Sequence, residues 1–331
     1  MSKSITVAVA RPIFPEVLVR LREHFTVVDN QGGQPWSTQS WAQCLQACDG
    51  VLTTMADPLN AGLLAGNTRL KVAANMAVGF NNFNLPELTA LGIVATNTPD
   101  VLTETTADLG FALLMACARR MSESERYLRE GLWSSWRYDF FAGAEVHGST
   151  LGILGMGRIG QAVAKRASLG FGMQVLYHNR HPLPSETERV LKAQFVSRDE
   201  LLERADHLML VLPYSPDVHH TIGAQEIARM KAGSHLINIA RGGLIDENAL
   251  ADALESGHLG GAALDVFENE PQVNPRLLAQ KRIVMTPHTA SSSLKTRLAM
   301  ANLAADNLID FFFKGSVRTP LNAEVLTRQT Q

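Results

Sequence analysis

No stretch of the sequence is apolar for long enough to cross a bilayer. The longest apolar run, residues 111–118, falls well short of the about 20 residues a spanning helix needs. Charge of one sign is missing too: 30 Lys and Arg against 32 Asp and Glu leave a net −2. That gives no electrostatic footprint for nucleic acid or for an anionic membrane surface. Cysteine is scarce, with Cys44, Cys48 and Cys117 alone. Cys44 and Cys48 can share one helix face, but no second Cys or His pair accompanies them as a metal site requires. All three read as buried or half-buried reduced thiols. Residues 1–9 hold a short apolar strand, followed by Arg11 and Pro12, without the core and cleavage site of a signal peptide. Internal repeats, low-complexity tracts and long charge runs are lacking. These absences point to a cytoplasmic protein with neither nucleic acid nor membrane as partner, and 331 residues suffice for two domains.

What is present is organised around Ser149-Thr150-Leu151-Gly152-Ile153-Leu154-Gly155-Met156-Gly157-Arg158-Ile159-Gly160. A short apolar run reads as a buried strand. It ends in Gly155, Gly157 and Gly160, spaced as G-x-G-x-x-G, and an Ala-rich helical pattern follows. Each glycine has a role at a dinucleotide, in turn the tight turn, close approach to the pyrophosphate, and helix–strand packing. The helix start offers free N–H groups to the anion.

Before this motif, residues 5–10, 25–28, 50–54, 70–74 and 93–95 read as strands alternating with helices, hence a parallel sheet covered by helices. Two loops of this unit stand out. Asn75-Met76-Ala77-Val78-Gly79-Phe80-Asn81-Asn82 follows a strand, where ligands bind in open α/β folds. Gly79 permits backbone N–H groups to approach an anion, although the segment also reads as an ordinary polar turn. Asn97-Thr98-Pro99-Asp100 leads to a long helix from about Thr103, too apolar around 109–118 for a one-sided surface helix, which points to a second domain or subunit against it. An aromatic-rich loop, 133–141, suits either an interface or a core edge. After the glycine motif, strands are expected at 151–154, 174–177, 207–212, 234–238, 262–265 and 283–286, the six of a doubly wound nucleotide domain. A last helix, 293–313, returns to the first unit, and the tail beyond Val317 is expected to be loosely ordered.

The strand after the glycine motif ends His178-Asn179-Arg180-His181, with no Asp or Glu to accept from a ribose 2′-OH. Arg180 can pair with a 2′-phosphate, and Asn179 and His181 can donate to it. NADP(H) is therefore the expected cofactor.

Three further segments follow predicted strand ends: 238–247 with Arg241, 264–271 with Asp265 and Glu270, and 285–292 with His288. Reduction of a 2-oxo acid needs a cation for the carboxylate, which the planar fork of Arg provides. It also needs a proton donor, which His provides near neutral pH. A carboxylate beside an imidazole fixes the ring and favours its charged form. Singly, each residue reads as structural or solvent-facing; together, at successive strand ends, they form a site.

With these residues, over nearly its full length, the chain resembles the D-isomer-specific 2-hydroxyacid dehydrogenase family. Within it, residues 101–108 and the Asn179-Arg180 strand end resemble glyoxylate/hydroxypyruvate reductases, including those active on 2-ketogluconate. The resemblance implies Arg241 as carboxylate anchor, His288 as acid/base and Glu270 as its partner. It implies Val78 and Gly79 at the substrate carboxylate. It further implies Thr106, Ala240 and Asp265 around the nicotinamide side of the cofactor, and Arg158 and Ile159 at the pyrophosphate. It implies two doubly wound parallel-sheet α/β domains: a Rossmann-type NADP domain, 102–287, inserted in a discontinuous flavodoxin-like substrate domain, 1–101 plus 288–331. It implies NADPH-dependent reduction of a small 2-oxo acid in the cleft of a homodimer built on the cofactor domain, with no metal. The paired His219 and His220 read as surface loop residues.

Departures matter. The family often has Asp where this chain has Asn81. Phosphite-oxidising relatives use a lysine near the position of Met76, which cannot supply that charge. The extra regulatory domain of many 3-phosphoglycerate dehydrogenases is lacking. Two alternatives remain: a nucleotide-sensing, corepressor-like binding protein of the same fold, or a dehydrogenase for another 2-hydroxy acid.

Overall fold

The structure is a computed structural model, and residues 4–329 are described. They fall into two compact units, with the chain passing from the first to the second at Leu102/Thr103 and back at Ser291/Ser292. The return lies after 288–291 because the amides of Thr289 and Ala290 are bonded to the Asp265 carboxylate, which ties that segment to the second unit. Among the described residues no helix is long and apolar enough to cross a membrane.

The first unit holds a five-stranded, wholly parallel sheet: β1 (Thr6–Val9), β2 (Thr26–Asp29), β3 (Gly50–Thr53), β4 (Val72–Asn75) and β5 (Val94–Thr96). Its order is β2-β1-β3-β4-β5, the flavodoxin-like winding. β3, β4 and β5 are buried throughout, so they read as continuous apolar runs rather than as alternation. The helices Pro15–His24 and Leu294–Lys314 cover one face. Residues 317–325 are not loose. Thr319 donates from Oγ1 to the Asn97 carbonyl at 2.6 Å, and buried Asn322 accepts from the Ala95 amide at 2.8 Å and donates to the Ile93 carbonyl at 2.9 Å. Val325 enters the core. Polar side chains, not an apolar pattern, anchor this tail.

The second unit holds seven parallel strands: β6 (Thr150–Leu154), β7 (Gln174–His178), β8 (Ala193–Phe195), β9 (His207–Leu210), β10 (His235–Asn238), β11 (Gly261–Leu264) and β12 (Ile283–Met285). Their order is β12-β11-β10-β9-β6-β7-β8. Six were expected. The seventh, β8, is a three-residue edge strand whose Phe195 packs on Tyr177 and His178. The winding reverses at β6, where neighbours β7 and β9 lie to either side. The helix Thr103–Ala118 is apolar on a wide arc because its own unit covers it. It packs on β10, β11 and the helix Arg158–Lys165, and a Cβ at Gly110 would meet Ile239 at 2.6 Å. No second domain is needed to explain that width.

At the amino-terminal edge of this sheet, His207 and His235 stack with ring centroids 5.0 Å apart, both buried. Burial pushes His207 down, against the Glu145 backbone and the Asp206 carboxylate. Burial and the neighbouring His207 push His235 from the ordinary 6.5 down to about 4. A folded-state value below the unfolded one means that the unfolded chain takes up the proton first as pH falls. The stability of the neutral imidazole, complete above 6.5, is lost between 6.5 and about 4. For His235 the loss amounts to about 3 kcal/mol. Chemical denaturation across that range is expected to show His235→Leu losing less stability than wild type by about this amount.

Candidate functional site

Because all seven strands of the second unit run parallel, the residues after β6, β7, β10, β11 and β12 leave one edge of the sheet. Gly155, Asn179, Arg241, Asp265 and His288 are thereby gathered at the carboxyl edge, across the point where the winding reverses.

The three glycines differ in what a side chain would meet. Gly155 lies at φ +103°, and a Cβ there would sit 2.6 Å from the Leu212 nitrogen. A Cβ at Gly160 would sit 2.4 Å from the Gly155 carbonyl oxygen, so the Arg158–Lys165 helix can approach β6 only through glycine. Gly157 meets nothing within 4 Å. It is open on the side where the loop would meet a pyrophosphate, and no side chain caps the helix it begins. The loop thus fits a dinucleotide. The Asn179 side chain also serves the fold itself, since its Oδ1 accepts the Met156 N–H at 2.7 Å and holds the glycine turn. Arg180 is exposed and makes no ion pair or hydrogen bond among the described residues. Thr106 is buried in the first turns of the Thr103–Ala118 helix, and Ala240 is buried with its amide donated to the Asn238 side chain.

The expected trio comes together. His288 Nδ1 stands 2.7 Å from Glu270 Oε2. The other carboxylate oxygen of Glu270 accepts the Phe267 N–H at 2.9 Å. Burial alone would raise the Glu270 carboxyl. The His288 contact, the Phe267 amide and the positive charges of His288 and Arg241 outweigh it and hold the group below the ordinary carboxylate range. Arg241 follows β10 in extended backbone, one residue before a 3-10 turn, and donates to the Ala240 carbonyl at 2.6 Å. Burial lowers its guanidinium, and the Glu270 charge opposes that. A cation in such a poorly hydrated place attracts an incoming carboxylate more strongly than one in water.

Asp265 was expected at the cofactor. In the structure both its oxygens are occupied within the protein. Oδ1 accepts from Thr286 Oγ1 at 2.6 Å and from the Thr289 amide at 2.7 Å, and Oδ2 accepts from the Ala290 amide at 2.8 Å. The residue is fully buried. Its backbone carbonyl takes the His288 N–H at 2.8 Å. His288 sits at φ +54°, a left-handed conformation that costs a non-glycine residue free energy and persists only where its surroundings enforce it. Asp265 enforces it. Sequence reasoning also missed the residues that shape the loop after β4. Asn97 donates to the Val78 carbonyl at 2.8 Å and Asn75 to the Gly79 carbonyl at 3.0 Å. The amides of Val78 and Gly79 make no hydrogen bond among the described residues. Asn75 and Asn97 stand in the two loops singled out in the sequence, which was the available signal.

Gly242 sets the approach of the Arg241 turn to the Glu270 loop. A Cβ there would fall 1.8 Å from the Phe267 carbonyl carbon and 2.2 Å from the Glu268 nitrogen. Gly242→Ala is expected to destabilise by about 3 kcal/mol, the upper end of overpacking costs. Gly157→Ala, placed in open space, is expected to leave stability within about 0.5 kcal/mol and to weaken dinucleotide binding instead. Denaturation midpoints and a cofactor titration distinguish the two.

The family model described as "D-isomer specific 2-hydroxyacid dehydrogenase, NAD binding domain" matches residues 111–290. The glyoxylate reductase of Korarchaeum cryptofilum is 42% identical over 307 residues, 92% of each chain. The glyoxylate/hydroxypyruvate reductase B of Citrobacter koseri is 40% identical over 311 residues, 94% of this chain and 95% of that one. Among solved structures, the NADPH-dependent glyoxylate/hydroxypyruvate reductase of Sinorhizobium meliloti, in complex with NADP and malonate, superposes with a TM-score of 0.84 at 34% identity, covering 96% of both chains. The chain belongs to the D-isomer-specific 2-hydroxyacid dehydrogenase family and is an oxidoreductase.

Proposed function

We propose that this protein reduces small 2-oxo acids, glyoxylate and hydroxypyruvate foremost and 2-ketogluconate in addition, to D-2-hydroxy acids with NADPH. The observation that carries the reading is the imidazole–carboxylate pair, His288 Nδ1 at 2.7 Å from Glu270, with half-buried Arg241 acting on the same carboxylate. The second unit is the dinucleotide-binding domain and the first the substrate-binding domain. Gly155, Gly157, Arg158, Ile159 and Gly160 would hold the pyrophosphate, Arg180 with Asn179 the 2′-phosphate, and Thr106, Ala240 and Asp265 the nicotinamide end. When bound, the cofactor supplies the hydride.

The chain supplies the rest. The Arg241 guanidinium takes the substrate carboxylate through its planar fork. In the first unit, the Val78 and Gly79 amides, which make no hydrogen bond among the described residues, are donors suited to a carboxylate. With Nδ1 committed to Glu270, His288 has Nε2 left for the carbonyl oxygen and protonates it as negative charge develops. Glu270, held below the ordinary carboxylate range, stays charged and keeps the ring in one orientation. Arg241 and His288 are fixed before the substrate arrives, so the charge they place at the oxygen costs no reorganisation. A corepressor-like sensor would keep the same three side chains. The reductase names of the relatives favour turnover.

Steady-state kinetics test both halves of this reading. His288→Ala and Arg241→Ala are each expected to lower kcat/KM for glyoxylate by about a hundred- to a thousandfold, at about 2.7–4 kcal/mol per lost transition-state contact, while NADPH still binds. Either variant at near-normal kcat/KM would remove that assignment. NADPH is expected over NADH, with Arg180→Ala cutting the preference by about ten- to hundredfold, the worth of one hydrogen bond to a charged group. A wild-type preference for NADH would refute the cofactor assignment.

A homodimer through the second unit completes the proposal. The helix Met121–Arg129 has no buried residue, and Trp136 and Tyr138 are 74% and 94% exposed. Such aromatics are enriched at interface cores. Sedimentation equilibrium at micromolar concentration is expected to give twice the chain mass, and the chain mass alone would contradict it.

A further inference from the structure

The carboxyl edge of the second sheet carries a side-chain cluster that the reductase reading leaves unused. His219 and His220 lie on the loop after β9, and Glu268 lies on the loop after β11. His220 Nε2 stands 3.0 Å from Glu268 Oε1, and His219 Nε2 stands 3.6 Å from the same oxygen. One ligand atom from each residue falls within 4.8 Å of the others. The two imidazoles stack with centroids 3.8 Å apart. All three side chains reach solvent, His219 at 43%.

We propose that this cluster binds a divalent transition metal of the zinc class, with His219 Nε2, His220 Nε2 and Glu268 as protein ligands and water completing the coordination. Three observations carry the proposal. The first is spacing. Zinc–ligand bonds of about 2.0–2.1 Å place neighbouring ligand atoms of a tetrahedron about 3.3 Å apart. The distances of 3.0 and 3.6 Å bracket that value. The second is donor type. Two imidazoles and one carboxylate suit zinc, cobalt or nickel, whereas magnesium and calcium take oxygen ligands.

The third is orientation. Consecutive side chains of extended backbone point to opposite sides. Here His220 adopts φ +50°, a left-handed conformation that costs a non-glycine residue, and the two neighbours lie ring on ring. The His220 N–H donates to the Gly243 carbonyl at 2.8 Å, and a side chain at Gly243 would meet the His219 ring and Tyr214. His219 Nδ1 is 3.2 Å from the Tyr214 hydroxyl. An Nδ1–H donated to that oxygen leaves the Nε2 lone pair free, which is how metal-binding imidazoles are held. The rings lie 23° from parallel, so rotation about each Cβ–Cγ bond is needed to aim both Nε2 lone pairs at one ion. A metal here would join the β9 loop to the loop that, two residues on, carries Glu270.

The test uses untagged, full-length protein stripped with a chelator. Co²⁺ is titrated by its visible d–d absorption, and Zn²⁺ by competition with a chromophoric chelator. One equivalent per chain is expected, with the absorption intensity of a nitrogen-ligated, low-coordinate cobalt. His219→Gln and His220→Gln are each expected to weaken binding at least about a hundredfold, and Tyr214→Phe about tenfold, the cost of a lost supporting contact. Circular dichroism and NADPH binding check that the variants fold. If they do not, the wild-type Co²⁺ spectrum decides alone: a weak six-coordinate, oxygen-type spectrum overturns the proposal. So does the absence of a stoichiometric site, or an affinity unchanged in the His219→Gln/His220→Gln double variant, which would place the metal elsewhere.

Discussion

The site depends on one buried carboxylate. Asp265 follows β11 with no exposed surface, and its oxygens take two hydroxyl and two amide donors from residues 286–290. A carboxylate so buried is tolerated only when its acceptor capacity is filled. These contacts hold the turn after β12 in one arrangement. That arrangement includes the left-handed backbone at His288, which the residue would not adopt unaided. Backbone strain at His288 and carboxylate burial at Asp265 are each unfavourable alone and sustain each other together.

A second layer rests on the first. With the His288 ring aimed by its backbone, Nδ1 meets Glu270, and the Glu270 carboxylate is pinned from its other side by the Phe267 amide. Burial opposes the charge on Glu270, yet two neighbouring cations and two hydrogen bonds prevail. Arg241 reaches the same neighbourhood because Gly242 lets its turn lie directly on the Phe267–Glu268 backbone. A cation, an anion and an imidazole therefore meet through backbone contacts between three loops, with little left to flexible side-chain choice. Such preorganisation is what stabilisation of a developing alkoxide requires.

Much of this was legible in the sequence. Buried parallel strands stand out as unbroken apolar runs, so all five strands of the first sheet and six of the second could be located. Gly155, Gly157 and Gly160 declared themselves by spacing, and Arg241, Glu270 and His288 by their places at strand ends. What escaped was held by contacts that no local pattern announces. β8 is too short for a pattern and is stabilised by stacking on β7. The segment after Val317 is anchored by Asn322 and Thr319, whose partners lie more than 200 residues earlier. The width of the apolar arc on Thr103–Ala118 suggests a second partner because sequence cannot say how much of an arc one sheet face and one helix will cover. The structural work of Asp265 was hidden for the same reason: the donors that fill its carboxylate lie 21 to 25 residues further on.

Asn179 links the frame to cofactor choice. It follows β7 where an acidic residue would accept from a ribose 2′-OH, and its Oδ1 accepts the Met156 N–H and shapes the glycine turn. Its neighbour Arg180 has no comparable role in the fold and lies exposed. A carboxylate at 179 could also accept from Met156, so the hydrogen bond alone does not select asparagine there. What distinguishes asparagine is neutrality: it closes the turn without placing a negative charge beside Arg180.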